Sequence, residues 1–100
     1  MTDEHFHAWT QATDEPSGEW DEPVRYPIAL DTAADAIFFA EGMVRRGIEY
    51  GGGAVELHEV DTPASLPGGV KVYCGTNLYG VQIRLWAMPC REDKSNCSYT

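Results

Sequence analysis

The clearest pattern in the sequence is a set of short alternating segments around one segment of helical spacing. Period-two alternation of apolar and polar residues predicts strands, because successive side chains of a strand point to opposite faces. Five segments alternate in this way: HFHAWTQ, VRYPIAL, AVELHEV, VKVYC and LYGVQIRLWAM. Between the second and third lies TAADAIFFAEGMVRRG, Thr32 to Gly47, which predicts a helix. The order β-β-α-β-β-β predicts an α+β fold in a single domain over residues 1–100, with an antiparallel or mixed sheet and the helix packed on one face.

Two of the strands carry more specific expectations. Pro27 has no N–H to donate to a neighbouring strand, so we expect the second strand at an edge of the sheet. In the last strand Val81, Ile83 and Leu85 form the inward-facing row, and Trp86 points outward.

The helix has clear start and stop signals. Thr32 is the expected N-cap, with Asp35 three residues later in the position of a capping box. Arg46 falls in the last turn, and Gly47 is able to adopt the left-handed conformation that ends many helices. On a helical wheel the apolar stripe is centred on Ile37 and is completed by Ala33, Ala40, Val44 and Ile48.

Phe38 and Phe39 cannot both lie on that stripe, because a helix turns about 100° per residue. Phe38 falls about 100° from Ile37, which predicts a position at the margin of the sheet. Phe39 falls about 200° from Ile37, on the opposite face. It shares the i, i+4, i+8, i+11 row with Asp35, Met43 and Arg46.

Two interpretations of Phe39 remain open. In one, the N-terminal segment folds over the helix and buries the ring with Trp9 or Trp20, since small domains rarely leave aromatic surface open. In the other, the row of Phe39 is a docking patch for a partner, with an aromatic anchor, a pliable methionine and a charged rim.

The composition gives the chain a strong negative charge. The chain has 16 acidic and 7 basic residues, for a formal net charge of −9. Nucleic acid and anionic membrane surfaces are therefore poor direct partners, because each phosphate would meet a repulsive field. A basic protein or nucleoprotein is the favoured kind of partner.

The negative charge is unevenly distributed. Residues 1–23 form an acidic segment without Lys or Arg, which is typical of a solvated arm or an interaction surface. Alternate side chains of a strand recur about every 6.6 Å, close to the spacing of phosphates along a nucleic acid, so carboxylates on strands are able to imitate a phosphate row. The acidic candidates for partner binding are Asp14, Glu15, Glu19, Asp21, Glu22 and Glu56.

Two histidines have the spacing of a ligand pair. His5 and His7 lie two residues apart on a strand and so project to the same face, with their Cα atoms about 6.6 Å apart. Two such imidazoles suit one metal ion, with His58 or a cysteine as a third ligand. No third ligand stands at a diagnostic spacing, so we predict no metal site and no cofactor.

The residue types of a thiol nucleophile and its base occur in Cys74 and His58, on neighbouring predicted strands. Cys74 shares an apolar face with Val70 and Val72, however, where a thiol is typical of inert packing. The segments GGGAVE and PGGVK match no phosphate-binding loop and precede no helix. We therefore expect no catalytic residues and no enzymatic activity.

Cysteine usage bears on location. Cys74, Cys90 and Cys97 are odd in number and lack the spacing of a disulfide framework, which favours reduced thiols in the cytoplasm. Cys90 and Cys97 enclose a short polar loop and are able to pair under oxidising conditions, and residues 90–100 are expected to fray. No signal-peptide pattern opens the chain and no apolar run approaches about 18 residues, so neither secretion nor a membrane span is expected.

In its size, acidity, single-domain organisation and lack of a catalytic set, the chain resembles small inhibitors encoded by viruses and mobile elements, such as anti-CRISPR proteins. The resemblance is one of type and attaches to no particular residue. It implies a non-enzymatic binder that docks on a basic, nucleic-acid-handling protein and blocks it sterically. The alternative is a structural or assembly subunit that forms a homodimer through a sheet edge or through the helix face of Phe39.

Overall fold

A computed structural model of the protein describes residues 4–13, 19–46, 56–91 and Cys97. Its elements follow in the order β1 (His5–Ala12), β2 (Val24–Arg25), α1 (Ala33–Arg45), β3 (His58–Val60), β4 (Val72–Thr76) and β5 (Gln82–Cys90). The strands form one sheet in the spatial order β2-β1-β5-β4-β3, and each neighbouring pair is antiparallel. The predicted α+β fold and its element order are confirmed.

The two longest strands, β1 and β5, form the centre of the sheet. They pair over their whole common length, from His5 opposite Cys90 to Ala12 opposite Ile83. Residues directly opposite each other share a face, so this register decides which side chains meet. Helix α1 packs across one face of this pair, on which Ala8, Ile83, Leu85 and Ala87 are buried. The predicted inward row of the last strand is therefore confirmed.

Helix α1 begins where the sequence predicts. The side chain of Thr32 accepts a 3.0 Å hydrogen bond from the backbone N–H of Asp35, which satisfies one of the free donors of the first turn. The C-cap is Arg46, whose backbone N–H bonds to the carbonyl of Gly42 at 3.1 Å. Gly47 and Ile48, the predicted end of the helix, lie outside the described residues.

The helix is rotated relative to the expected wheel. Its buried residues are Ala36, Ala40 and Val44, while Ile37 and Phe39 flank them and are partly buried against the core. The two alanines let the helix approach the sheet closely, so the bulkier side chains pack on either side of that line rather than at its centre. The expected positions of Phe38 and Phe39 are therefore wrong and are reversed.

The second strand is shorter than its alternation predicts. Only Val24–Arg25 pairs regularly with β1, and the ladder stops at Pro27, which has no N–H to donate. Pairing resumes at Leu30, which exchanges two backbone hydrogen bonds with Phe6 at 2.7 and 2.9 Å. The predicted edge position of this strand is confirmed.

The two strands on the far side of the sheet also differ from their predicted bounds. The third strand is His58–Val60, and Val55 of the predicted segment lies outside the described residues. The fourth continues to Thr76, so the turn that follows is centred on Leu78 and Tyr79. The side-chain oxygen of Asn77 closes this turn by accepting hydrogen bonds from the N–H groups of Tyr79 and Val81 at 2.9 and 3.0 Å.

The face of the sheet opposite the helix is also partly buried. Trp86 points to this face, as predicted, but is only 2% exposed because it stacks with Trp9, at 6.3 Å between centroids and 8° between ring planes. Beside them the guanidinium of Arg84 lies 4.0 Å from the ring centroid of Trp20 and donates a 2.7 Å hydrogen bond to Gln11. Desolvation lowers the pKa of Arg84 below its ordinary value.

Candidate functional site

The outer face of α1 carries one large exposed ring between two hollows. Phe38 is 79% exposed in the middle of the helix. On one side is a hollow of about 430 Å³ that reaches Lys71 and Tyr73. On the other is a hollow of about 340 Å³, which we call the α1 groove, lined by Leu30, Asp35, Phe38, Phe39, Gly42, Met43 and Arg46.

The α1 groove brings together the whole row that the sequence singled out on the helix. Asp35, Phe39, Met43 and Arg46 all line it. Phe39 does not stand out from the surface, however, because it is partly buried against the core. Of the two interpretations of Phe39, its packing against the core favours burial over an exposed docking anchor, and Phe38, which the sequence predicts at the sheet margin, is the side chain that projects.

The residue that covers Phe39 is neither of the expected tryptophans. Tyr26, which follows β2, meets Phe39 edge-to-face with 5.4 Å between ring centroids and 82° between ring planes. Trp9 and Trp20 lie instead on the opposite face of the sheet, with Trp86 and Arg84 respectively.

Charges are arranged at the two ends of the α1 groove. Asp35 lies in the first turn of the helix and Arg46 at its C-cap, which matches the polarity of the helix dipole. Outside the groove, Arg45 and Glu41 form an i,i+4 ion pair at 2.9 Å on the exposed surface, and Glu41 lines the other hollow. The exposed Phe38 is thus an apolar centre with charged groups around it.

The acidic candidates outside the helix fall into two groups at opposite edges of the sheet. Glu19, Asp21 and Glu22 are exposed beside β2, and Glu56 is exposed before β3. Four strand spacings of about 4.8 Å separate these edges, about 19 Å in all. The structure therefore does not join them into one phosphate-like row, and Asp14 and Glu15 lie outside the described residues.

A second cluster lies where β1 begins and β5 ends. Nε2 of His5 lies 3.0 Å from Nε2 of His7, and Sγ of Cys97 lies 3.4 and 3.3 Å from these two nitrogens. Cys90 lies directly opposite His5 in the β1–β5 register, and the nearest ligand atoms of all four residues lie within 4.8 Å of one another. His5, His7 and Cys97 are buried, and Cys90 is partly buried.

His7 is held in a defined orientation within this cluster. Its Nδ1 lies 2.9 Å from the carbonyl oxygen of Tyr26. A carbonyl oxygen only accepts, so Nδ1 carries the proton and donates it, and the lone pair of Nε2 points at His5 and Cys97. Desolvation lowers the pKa of His7 below its ordinary value, which keeps the ring neutral near neutral pH.

The sequence alone predicts half of this cluster. It placed His5 and His7 on one face, which is confirmed, but it identified no further ligand at a fixed spacing. The missing signal was the pairing of the first strand with the last, which places Cys90 opposite His5. Cys97 lies within the segment expected to fray and is nevertheless 4% exposed. His58, the other ligand considered, is on β3 at the far edge of the sheet.

The pair considered for thiol catalysis is also brought together, since Cys74 and His58 lie directly opposite each other on β4 and β3. Burial raises the pKa of the Cys74 thiol above its ordinary value, so the thiol stays protonated at neutral pH. A nucleophile requires the thiolate, so the environment of Cys74 opposes the role of a catalytic cysteine.

Two further findings bear on function. Among the described residues no helix has the length and apolar character that a membrane crossing requires. In comparisons with known proteins, no family model, no curated protein and no solved structure matches the chain.

Proposed function

We propose that the protein is a non-enzymatic binding domain that docks the outer face of α1 onto a basic partner protein. The partner class we favour handles nucleic acid, and the docked domain blocks its working surface sterically, as an inhibitor does. The observation that supports this most is the exposure of Phe38 between two hollows on the helix.

Phe38 has the properties of an interface anchor. A phenylalanine exposed to water is a candidate to gain binding free energy by entering a partner's pocket, at small cost in side-chain entropy. A helix that presents an apolar centre with charged groups around it is one of the recurring modes of protein recognition. Met43 adds a flexible apolar wall to the α1 groove, and such walls adapt to a partner's surface.

The charge of the chain argues for a basic partner. At a formal net charge of −9 the protein attracts cationic surfaces over long range and repels anionic ones. Exposed carboxylates flank the sheet at both edges, so this attraction is spread over the molecule rather than confined to one patch. It therefore accelerates encounter without orienting it, while Phe38 and the groove supply the specific contact.

The alternative, a homodimer, is less well supported. Two copies with a net charge of −9 repel each other, which opposes self-association through the helix face. The edge strands β2 and β3 span only two and three residues and carry charged side chains, among them Arg25 and Glu59. Short, charged edges are a common way of preventing strand pairing between chains.

The test is a capture experiment with matched variants. The tagged full-length protein is incubated with nuclease-treated extract of its source organism at low and at high salt. Phe38→Ala removes the exposed ring, and Tyr79→Ala is the control because Tyr79 is 72% exposed in the β4–β5 turn, away from α1. We expect wild type and Tyr79→Ala to retain the same basic protein at low salt, and Phe38→Ala to lose it.

A second variant tests the α1 groove without removing Phe38. A Cβ added at Gly42 meets no atom within 4 Å, so we expect the side chain of Gly42→Leu to enter the groove without a clash at its base. We expect this variant to lose the partner as well. Retention of the same partner by both Phe38→Ala and Gly42→Leu contradicts the proposal, as does a salt-insensitive dimer of the purified protein in light scattering.

A further inference from the structure

The geometry points to a zinc site that the protein builds from His5, His7, Cys90 and Cys97. All four side chains bind one Zn²⁺ ion, the imidazoles through Nε2 and the cysteines through Sγ. This site is independent of the docking surface on α1.

The separations among the ligand atoms of His5, His7 and Cys97 are close to those of a tetrahedral site, and Cys90 completes a set whose ligand atoms all lie within 4.8 Å of one another. Zinc binds imidazole nitrogen at about 2.0–2.1 Å and thiolate sulfur at about 2.3 Å. Around a tetrahedral ion these bonds place two nitrogens about 3.3 Å apart and a nitrogen and a sulfur about 3.5 Å apart. The observed separations are 3.0 Å between the Nε2 atoms of His5 and His7, and 3.3 and 3.4 Å from these to Sγ of Cys97.

Hydrogen bonding alone accounts poorly for this arrangement. The three atoms form a closed triangle, in which each lies within 3.4 Å of the other two. Nε2 of His7 has a single in-plane direction for either a lone pair or a proton, so it cannot form well-directed hydrogen bonds to His5 and Cys97 at once. A metal ion placed to one side of this triangle, with Cys90 as its fourth ligand, accepts one lone pair from each of the three atoms.

The chemistry of the set also suits burial. Binding releases the two thiol protons to solvent, and the product, one Zn²⁺ with two thiolates and two neutral imidazoles, has no net charge. A neutral centre avoids most of the cost of placing an ion among buried groups. Four protein ligands leave no open position, which is typical of structural zinc sites rather than catalytic ones.

The surroundings of His7 support the same assignment. Ligating histidines usually donate their second ring N–H to a backbone carbonyl or carboxylate, which fixes the ring and the tautomer. His7 does this through Nδ1, which donates to the carbonyl oxygen of Tyr26 at 2.9 Å. The imidazole is therefore already oriented with Nε2 toward the centre of the cluster.

The consequence for the fold is a link between the two ends of the described chain. His5 and Cys97 are 92 positions apart in sequence, and Cys90 ends the strand that pairs with β1. Joining such distant positions removes much conformational freedom from the unfolded chain. Small domains with limited cores commonly gain stability from a structural metal in this way.

The first test measures metal in the full-length protein, purified under reducing conditions with zinc and then desalted. We expect one zinc per chain by elemental analysis. Cys97→Ser and His7→Gln remove ligands, while Cys74→Ser and His58→Gln are matched controls, because this second cysteine–histidine pair also lies across two neighbouring strands. We expect the control variants to keep one zinc per chain. Removal of a residue that only hydrogen-bonds to a ligand typically lowers metal affinity by about 10–100-fold, and we expect the ligand variants to lose more affinity than that.

The second test identifies the ligands in the wild-type chain alone, so it holds if the ligand variants fail to fold. Cobalt(II) replaces zinc, and we expect the intense visible bands of tetrahedral cobalt together with thiolate-to-metal charge transfer. Zinc is expected to protect Cys90 and Cys97 from alkylation and to leave the labelling of Cys74 unchanged. A wild-type chain without bound metal, zinc that does not slow the labelling of Cys90 and Cys97, or a native Cys90–Cys97 disulfide would each overturn the assignment.

Discussion

The ring of Phe39 packs edge-on against the ring of Tyr26, with 5.4 Å between the centroids and 82° between the planes. This contact ties α1 to the segment that follows the edge strand β2. It also accounts for the adjacent phenylalanines, because Phe39 belongs to the packing of the domain while Phe38 projects from it.

The two phenylalanines are predicted to differ sharply in their effect on stability. Phe39→Ala removes the contact with Tyr26 and leaves a partly filled space, which we expect to cost about 2 kcal/mol, below the range for a fully buried ring. In a domain of this size that lowers Tm by about 8–15 °C. Phe38→Ala is expected to change the free energy of unfolding by less than about 0.5 kcal/mol. Thermal unfolding followed by circular dichroism measures both, and equal losses would show that Phe38 is part of the core.

Gly42 is predicted to make the helix less stable than alanine would at the same position. Gly42→Ala adds helix propensity of up to about 1 kcal/mol, and its Cβ meets no atom within 4 Å. The control is Gly69→Ala, where φ is +89°, so an L side chain is strained there and stability should fall. Urea unfolding measures both changes, and a loss of stability in Gly42→Ala is the result that argues against this description of the helix surface.

The raised pKa of Cys74 predicts a slow thiol with a particular pH dependence. Burial favours the protonated form, so the thiol stays neutral in the folded state above its ordinary pKa of 9.0. In the unfolded chain the same thiol ionises first as pH rises. Its contribution to stability is therefore present below about pH 9 and is lost above it.

Alkylation kinetics check this prediction directly. The labelling rate of Cys74 in the folded protein at neutral pH should be well below that of the same cysteine in denatured protein, and should keep rising to higher pH. A Cys74 that is labelled in the folded chain as fast as in the denatured chain is incompatible with its partly buried environment.

Zinc is predicted to stabilise the folded protein by mass action. A ligand that binds only the folded chain stabilises it by about 4 kcal/mol when its free concentration is about 1000-fold above its dissociation constant. Addition of a chelator should therefore lower Tm in wild type and in His58→Gln, but not in Cys97→Ser. Differential scanning fluorimetry with and without chelator measures this effect. A wild-type Tm that is unchanged by the chelator contradicts a structural role for the metal.

Much of the fold was predictable because it depends on local patterns. Alternation located the central strands, Thr32 marked the start of the helix, and Pro27 placed its strand at the edge. The rotation of the helix was not predictable in the same way, since the wheel weighted the bulky Ile37 as its centre. The sheet instead accepts Ala36 and Ala40 at closest approach, and this depends on the shape of the opposing surface rather than on hydrophobicity.

The candidate metal site likewise combines residues that local geometry predicts with residues that only long-range pairing brings in. The pair His5 and His7 follows from strand geometry alone, whereas Cys90 joins it only through the pairing of the first and last strands. Cys97 joins the cluster through its contact with His5, 92 positions earlier in the sequence, and no repeating pattern in the sequence predicts that contact. Long-range register is the information that single-sequence periodicity lacks.

Docking through α1 is tested most directly by side-chain footprinting of the protein with the partner it captures. Hydroxyl radicals modify exposed rings, and Phe38 and Tyr79 are exposed to similar extents, 79% and 72%, at different places on the surface. If α1 is the docking face, binding of the partner abolishes modification of Phe38 and leaves that of Tyr79 unchanged. Unchanged modification of Phe38 in the complex, or protection of Tyr79 in its place, contradicts docking through α1.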